Sequence, residues 1–391
     1  MADAVLVGLE VACAAPPEVL RCSRGFGLLS NQASVDGSFR HAAHLLHERF
    51  PGALKALFGP QHGLWSCQQD NMVETGHGTD QRLGVPVHSL YSETRKPTQH
   101  MLDGLDLLVV DLQDVGTRVY TYVWTLTHCL EACAEKRIPV LVLDRPNPLG
   151  GALAEGPLLD LRFSSFVGRA AIPMRHGLTL GELALFCNAS MRLGADVQVV
   201  PMQGWRRSMV WPDTGRAWVP PSPNLPRWEG AFVYAGQVLL EGTNLSEGRG
   251  TTTPFEQFGA PWVDPWQLAS MASGQRLPGV ALRPVHFEPT FQKWHGEPSR
   301  GLFLHVTDAG AFRPYRTTLT LLREIRGLWP REFGWRPPPY EYEAEKMPID
   351  ILAGSDLVRA FVEGQRPWSE LDALAAAPAE WWQRLRPLLL Y

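Results

Sequence analysis

Residues 105–112 read LDLLVVDL and residues 138–143 read IPVLVL. Neither run alternates apolar with polar side chains. Each therefore reads as a strand buried on both faces, as in a parallel sheet covered by helices. The stretch between them predicts a helix over Arg118–Lys136. The same rhythm extends outward in both directions. Gly25–Leu29, Ala53–Phe58 and Val85–Leu90 read as earlier strands. Ser38–Arg49 reads as a helix with Phe39, Ala42, Ala43, Leu45 and Leu46 on its apolar side. A helix over Thr179–Leu193 and a strand over Val197–Val200 follow. Strand and helix in alternation predict an α/β domain built on a mostly parallel sheet.

The rhythm breaks at residues 211–228, WPDTGRAWVPPSPNLPRW, which are crowded with proline and turn formers. Beyond them come helices near Trp228–Leu240, Pro265–Ser273 and Thr318–Gly327, with strands near Val280–Phe287 and Leu302–Thr307. That order predicts a smaller mixed α/β domain. The expected division is residues 1–222 and 223–391, and a length of 391 residues suits two domains.

Composition narrows the function. Lys and Arg total 36 against 40 Asp and Glu, a net charge of −4, so no basic excess points to nucleic acid. No 18-residue apolar run predicts a membrane span. The six cysteines form no CxxC pair, which fits a reducing compartment and argues against structural zinc. Cys129 and Cys133 stand one helical turn apart and should pack as small apolar residues. With Asp3, Glu10 and no Lys or Arg before Arg21, the first residues do not read as an export signal, and a cytoplasmic protein is expected. Fourteen tryptophans offer faces for stacking on sugar rings or for core packing.

In open parallel sheets ligands bind beyond the carboxyl ends of the strands. Five predicted strands are followed by polar groups: Ser30-Asn31-Gln32, Gly59-Pro60-Gln61-His62-Gly63, Ser89-Leu90-Tyr91, Asp111 to Arg118, and Asp144-Arg145-Pro146-Asn147. Asp114 is also placed to cap the helix after it. Nucleotide signatures are missing. Gly25-Phe26-Gly27 falls inside a strand rather than after one, and no GxxxxGK[ST], HExxH or GxSxG occurs. No cofactor or metal is expected. His62 and His77 lack further ligands at metal spacing. In the second half, residues 241–256 (EGTNLSEGRGTTTPFE) offer an anion site at Arg249 with backbone amides, or a structural turn network.

These runs, together with Val87-His88-Ser89-Leu90-Tyr91, Arg95-Lys96-Pro97-Thr98, Pro220-Pro221-Ser222-Pro223-Asn224 and His305-Val306-Thr307-Asp308, span most of the chain in order. They resemble a family long catalogued as a domain of unknown function and now associated with exo-acting β-N-acetylmuramidases. The resemblance implies a Rossmann-like N-terminal domain without nucleotide, a smaller C-terminal domain, and a sugar cleft between them. It implies removal of N-acetylmuramic acid from non-reducing ends of peptidoglycan fragments. A monomer or homodimer is expected. The family commonly carries Glu in its Pro-Glu-His-Gly run as the favoured acid. Here that position is Gln61, and a carboxamide cannot transfer a proton near neutral pH.

Glycosidases mostly use two carboxylates. Glu74, later in the same loop, is the leading substitute acid, with His62 behind it. Asp114 or Glu247 is the second carboxylate. Arg118, Arg145 and Arg249 are candidates for the lactyl carboxylate, because a guanidinium grips it bidentately. Asn31, Gln32, Gln61, Asn147, Glu241, Asn244 and Thr251 complete the sugar-binding set. Two other readings stay open: a muropeptide-binding protein without turnover, and a nucleotide-dependent enzyme.

Overall fold

The computed structural model describes residues 4–70 and 72–391. Seven strands form the larger sheet: β1 (Phe26–Ser30), β2 (Leu54–Gly59), β3 (Gly78–Thr79), β4 (Pro86–Ser89), β5 (Leu107–Asp111), β6 (Val140–Leu143) and β7 (Val197–Val200). Their order is β3-β4-β2-β1-β5-β6-β7, and only the short edge pair β3–β4 is antiparallel. The fold is thus the expected mostly parallel α/β sheet. The chain runs outward from β1 to β4, then returns to β5 on the other side of β1. Ser30 and Asp111 lie opposite each other at that reversal.

The alternating pleat explains the unbroken apolar runs. Leu28, Leu57, Leu107, Val109, Leu141 and Leu143 face one side, packing on the helices Gly8–Ala14 and Ala42–Arg49. Leu29, Phe58, Leu108, Val110, Val140 and Val142 face the other. There they meet the helices Tyr122–Lys136 and Leu180–Ser190 and the apolar residues of the second half. Cys129 and Cys133 are buried in this core, as expected of small apolar side chains.

The smaller sheet is antiparallel: β8 (Gln257–Ala260), β9 (Val280–Phe287) and β10 (Ser299–Val306) in the order β8-β10-β9. Beside it the helices Trp228–Gln237 and Pro314–Leu328 cross closely at Gly236. A methyl group there would stand 2.0 Å from the Pro314 carbonyl oxygen. Gln237 Nε2 donates to Thr318 Oγ1 at 2.8 Å across the same contact.

Several expectations are corrected. The helix after β5 begins at Tyr122 rather than Arg118, because Asp114–Thr121 forms a buried loop. Asp114 does not cap that helix; its Oδ2 accepts from the Gly116 N–H at 2.7 Å instead. The helix expected from Ser38 starts at Ala42, and Phe39 is exposed with φ +62°. The reading also missed β3, β8 and the short helices Pro348–Ala353, Leu357–Val362, Leu371–Ala375 and Trp381–Leu385.

Candidate active site

Beyond the carboxyl ends of the strands lies a small, enclosed polar cavity of about 40 Å³. Gln61 and His62 reach it from the loop after β2, and Tyr120, Thr121 and Tyr122 from the loop after β5. Ser222 and Asn224 reach it from the proline-rich crossing. Tyr234, Glu241, Arg249, Phe255, Tyr340 and Glu341 reach it from the second half. The aromatic lining is tyrosine and phenylalanine. The tryptophans expected to stack on sugar do not line it, and Trp124 and Trp381 are wholly buried core.

A buried charge network forms one wall. Arg249 pairs with Glu241 at 2.9 Å and Glu247 at 3.3 Å. Both carboxylates hold its proton more firmly than usual. Lys293 pairs with Glu247 at 2.8 Å and donates to the carbonyls of Leu240, Thr243 and Leu245. Burial penalises the Glu247 carboxylate, but Lys293 and Arg249 outweigh it and hold its pKa below the ordinary value. Tyr340 OH donates to Glu241 at 2.6 Å. Two acids thus face two bases. Such a network is expensive to break from one side, since the abandoned charge stays buried.

Glu341 is the group that the sequence reading missed. It is 4% exposed. Tyr91 OH donates to its Oε2 at 3.0 Å. Gln61 lines the same cavity, its Oε1 accepting from Thr121 Oγ1 at 2.7 Å. Burial, aided by nearby Glu241, raises the Glu341 pKa to about 7 against the Tyr91 hydrogen bond. His62 moves the other way. Burial lowers its pKa to about 4, so it is neutral at pH 7 and holds no proton to give as an acid.

Glu341 and Tyr342 are the central residues of a tight turn. Tyr340 and Glu343 exchange both backbone hydrogen bonds at 2.9 Å. Both central residues have positive φ, +44° and +67°. This is the geometry of a type I′ turn, which favours Asn-Gly. A glutamate and a tyrosine there are held against their own backbone preference. The turn also separates three spaces. Glu341 lines the enclosed cavity, an open groove of about 720 Å³, and a third hollow of about 470 Å³.

The structure brings together part of the predicted set. Gln61, His62, Glu241 and Arg249 share the cavity, with Glu247 behind Arg249. Glu74 stands apart in the open groove, its side chain 55% exposed and 3.7 Å from Arg95. Asp114 lies 3.6 Å from His176 Nε2. Asn31 and Gln32 donate to the carbonyls of Pro221 and Pro220, tying β1 to the crossing. Arg118 is wholly buried and donates to Pro157, Ile172 and Leu352 carbonyls. Arg145 forms a buried pair with Asp111 at 2.5 Å. Asn147 donates to the Leu178 carbonyl and Asn244 to that of Glu332. Thr251 closes a turn onto Gly248.

Residues 26–229 match the family described as exo-β-N-acetylmuramidase NamZ, N-terminal, and residues 232–391 match its C-terminal counterpart. The chain belongs to the NamZ family. Peptidoglycan β-N-acetylmuramidase NamZ of Bacillus subtilis (strain 168) is 43% identical over 337 residues, 86% of this chain and 79% of that one. Two crystal structures of DUF1343 family proteins from Bacteroides fragilis NCTC 9343 are similar throughout. One superposes with a TM-score of 0.85 at 33% identity, covering 99% of each chain. The other reaches 0.74 at 29%, covering 100% of this chain and 99% of that one. Gln61 has no acidic proton, which moves the question of the acid to the carboxyls around the cavity.

A signal for Glu341 was present in the sequence. Residues 329–347 join two helices without a long regular element, and contain Pro337-Pro338-Pro339-Tyr340-Glu341-Tyr342. A connection this long inside a compact fold commonly carries function.

Proposed function

We propose that this protein is a glycoside hydrolase that removes N-acetylmuramic acid from the non-reducing end of peptidoglycan fragments. The observation that carries the reading is the convergence of Gln61, His62, Glu241 and Arg249 on one enclosed cavity, in a chain of the NamZ family. An enclosed space suits a terminal sugar, as exo-action requires. Its present volume of about 40 Å³ is little more than one water's share of the liquid, so its lining has to open for a sugar to enter. Among the three arginines considered for the lactyl carboxylate, Arg249 supports that role best. It lines the cavity, and its Nε–H is buried without a hydrogen-bond partner among the described residues.

We take the protein to act as a monomer or homodimer on a small sugar or muropeptide, without nucleic acid. Among the described residues no helix is long and apolar enough to cross a membrane. A cytoplasmic setting is supported by six cysteines that are all unpaired. Gln61 favours a second reading, a muropeptide-binding protein without turnover. One assay separates them: release of 4-nitrophenol from its β-N-acetylmuraminide and β-N-acetylglucosaminide. Selective turnover of the muraminide is expected. Retention of muropeptides with no release from either substrate would replace the hydrolase with the binding protein.

A further inference from the structure

A glycosidic oxygen lies, by definition, on the boundary between the space holding the terminal sugar and the space holding the leaving group. The proton donor must therefore border both. Glu341 lines both the enclosed cavity and the 720 Å³ groove, and it does so from a buried carboxyl that accepts a hydrogen bond from Tyr91. Gln61 also lines the cavity but has no acidic proton. Glu74 lines only the groove and is half exposed. Glu241 and Glu247 are committed to Arg249 and Lys293.

We infer that Glu341 is the catalytic acid of this chain, and that the groove beyond it receives the leaving sugar. The inference rests on the hydrolase reading above. In the step, the bond from the anomeric carbon to the glycosidic oxygen breaks. Its electron pair stays on the oxygen, which takes the Glu341 proton, so the leaving sugar departs as a neutral alcohol. Over the whole cycle one water supplies oxygen to the anomeric carbon and a proton that restores Glu341. Gln61 is a positioning residue. Its carbonyl accepts from Thr121 Oγ1, which holds the amide on the cavity wall that Glu341 shares.

The backbone supports the assignment independently. Glu341 occupies a left-handed position that Asn or Gly would fill at less cost, and such positions persist where the surrounding structure enforces them for a purpose. A carboxyl that titrates near 7 is also half protonated at neutral pH, which suits an acid. The charged and titratable groups around it are Tyr91, Glu241, Arg249, His62, Tyr120, Tyr122, Tyr234 and Tyr340 on the cavity side, and Glu74, Glu93, Arg95, His128, Arg169, Tyr342 and Glu343 on the groove side. His62 is already neutral there, so Glu341 governs the fall in activity as pH rises through about 7.

The test compares substrates whose leaving groups differ in their need for a proton. Nitrophenolate leaves largely unaided; a sugar hydroxyl does not. Glu341→Gln should lose kcat on the natural disaccharide by on the order of a hundredfold more than on the 4-nitrophenyl muraminide. The alkaline limb of its pH profile should vanish. Equal losses on both substrates, or a retained limb, would overturn the assignment. Should that variant fail to fold, Tyr91→Phe decides. The Tyr91 hydroxyl stabilises the carboxylate, so its removal should move the alkaline limb to higher pH, and an unmoved limb removes Glu341 as the acid. A wild-type protein that turns over neither substrate overturns the hydrolase reading and this inference together. An active wild type with either contrary variant result overturns this inference alone.

Discussion

A single carboxyl that titrates near 7 costs the fold something at neutral pH. In the unfolded chain Glu341 ionises near 4.5; in the fold it holds its proton to about 7. Between those values the native state binds the extra proton, so stability falls as pH rises through the window. The loss reaches at most about 3 kcal/mol above pH 7. Glu341→Gln removes the ionisation. Its melting temperature should therefore exceed that of the wild type by more at pH 8 than at pH 4.5, and thermal scans at the two values measure the difference. A constant difference would show that Glu341 titrates normally. Arg118 illustrates the opposite limit of legibility. Its place in Gln113-Asp114-Val115-Gly116-Thr117-Arg118 suggested substrate, yet it links three carbonyls from residues 157, 172 and 352. An arginine that binds a ligand and one that staples backbone have the same side chain, and only the tertiary neighbours distinguish them.

At the scale of elements, the apolar runs at 105–112 and 138–143 were enough to predict β5 and β6, because burial on both faces removes all alternation. In the second half β9 was legible at its full length and β10 nearly so, while β8, only four residues long, was not. The 340–343 turn was illegible for a different reason: its sequence contradicts its conformation. Glu341 and Tyr342 occupy positions that Asn-Gly would fill without left-handed strain of roughly 1–2 kcal/mol per residue. Tyr342 recovers part of that by lying 4.4 Å from the Arg95 guanidinium, which also sits over Tyr91 at 4.2 Å. Such a contact supplies about 1 kcal/mol. Replacing Glu341-Tyr342 by Asn-Gly should raise denaturation midpoints above those of Glu341→Gln while abolishing disaccharide turnover. A double variant less stable than Glu341→Gln would mean that the Arg95 contact outweighs the turn strain.

Across the whole molecule, one apolar cluster includes Leu29, Phe58 and Trp124 from the larger sheet and its helix, and Phe232, Phe258, Leu319 and Trp381 from the second half. Arg118 and Leu352, and Tyr91 and Glu341, add polar ties across the same divide. Neither half has a separate core facing that boundary. Calorimetry should therefore show a single unfolding transition, with residues 1–222 failing to fold when produced alone. Two resolved transitions would show that the halves are autonomous.

The cavity draws Gln61 and His62 from one half and Glu241, Arg249 and Glu341 from the other. Its chemistry can thus be inherited only as an entire chain. A truncation that keeps one half keeps an incomplete wall of the site. A change at position 61 meets Thr121 from its own half and Glu341 from the other.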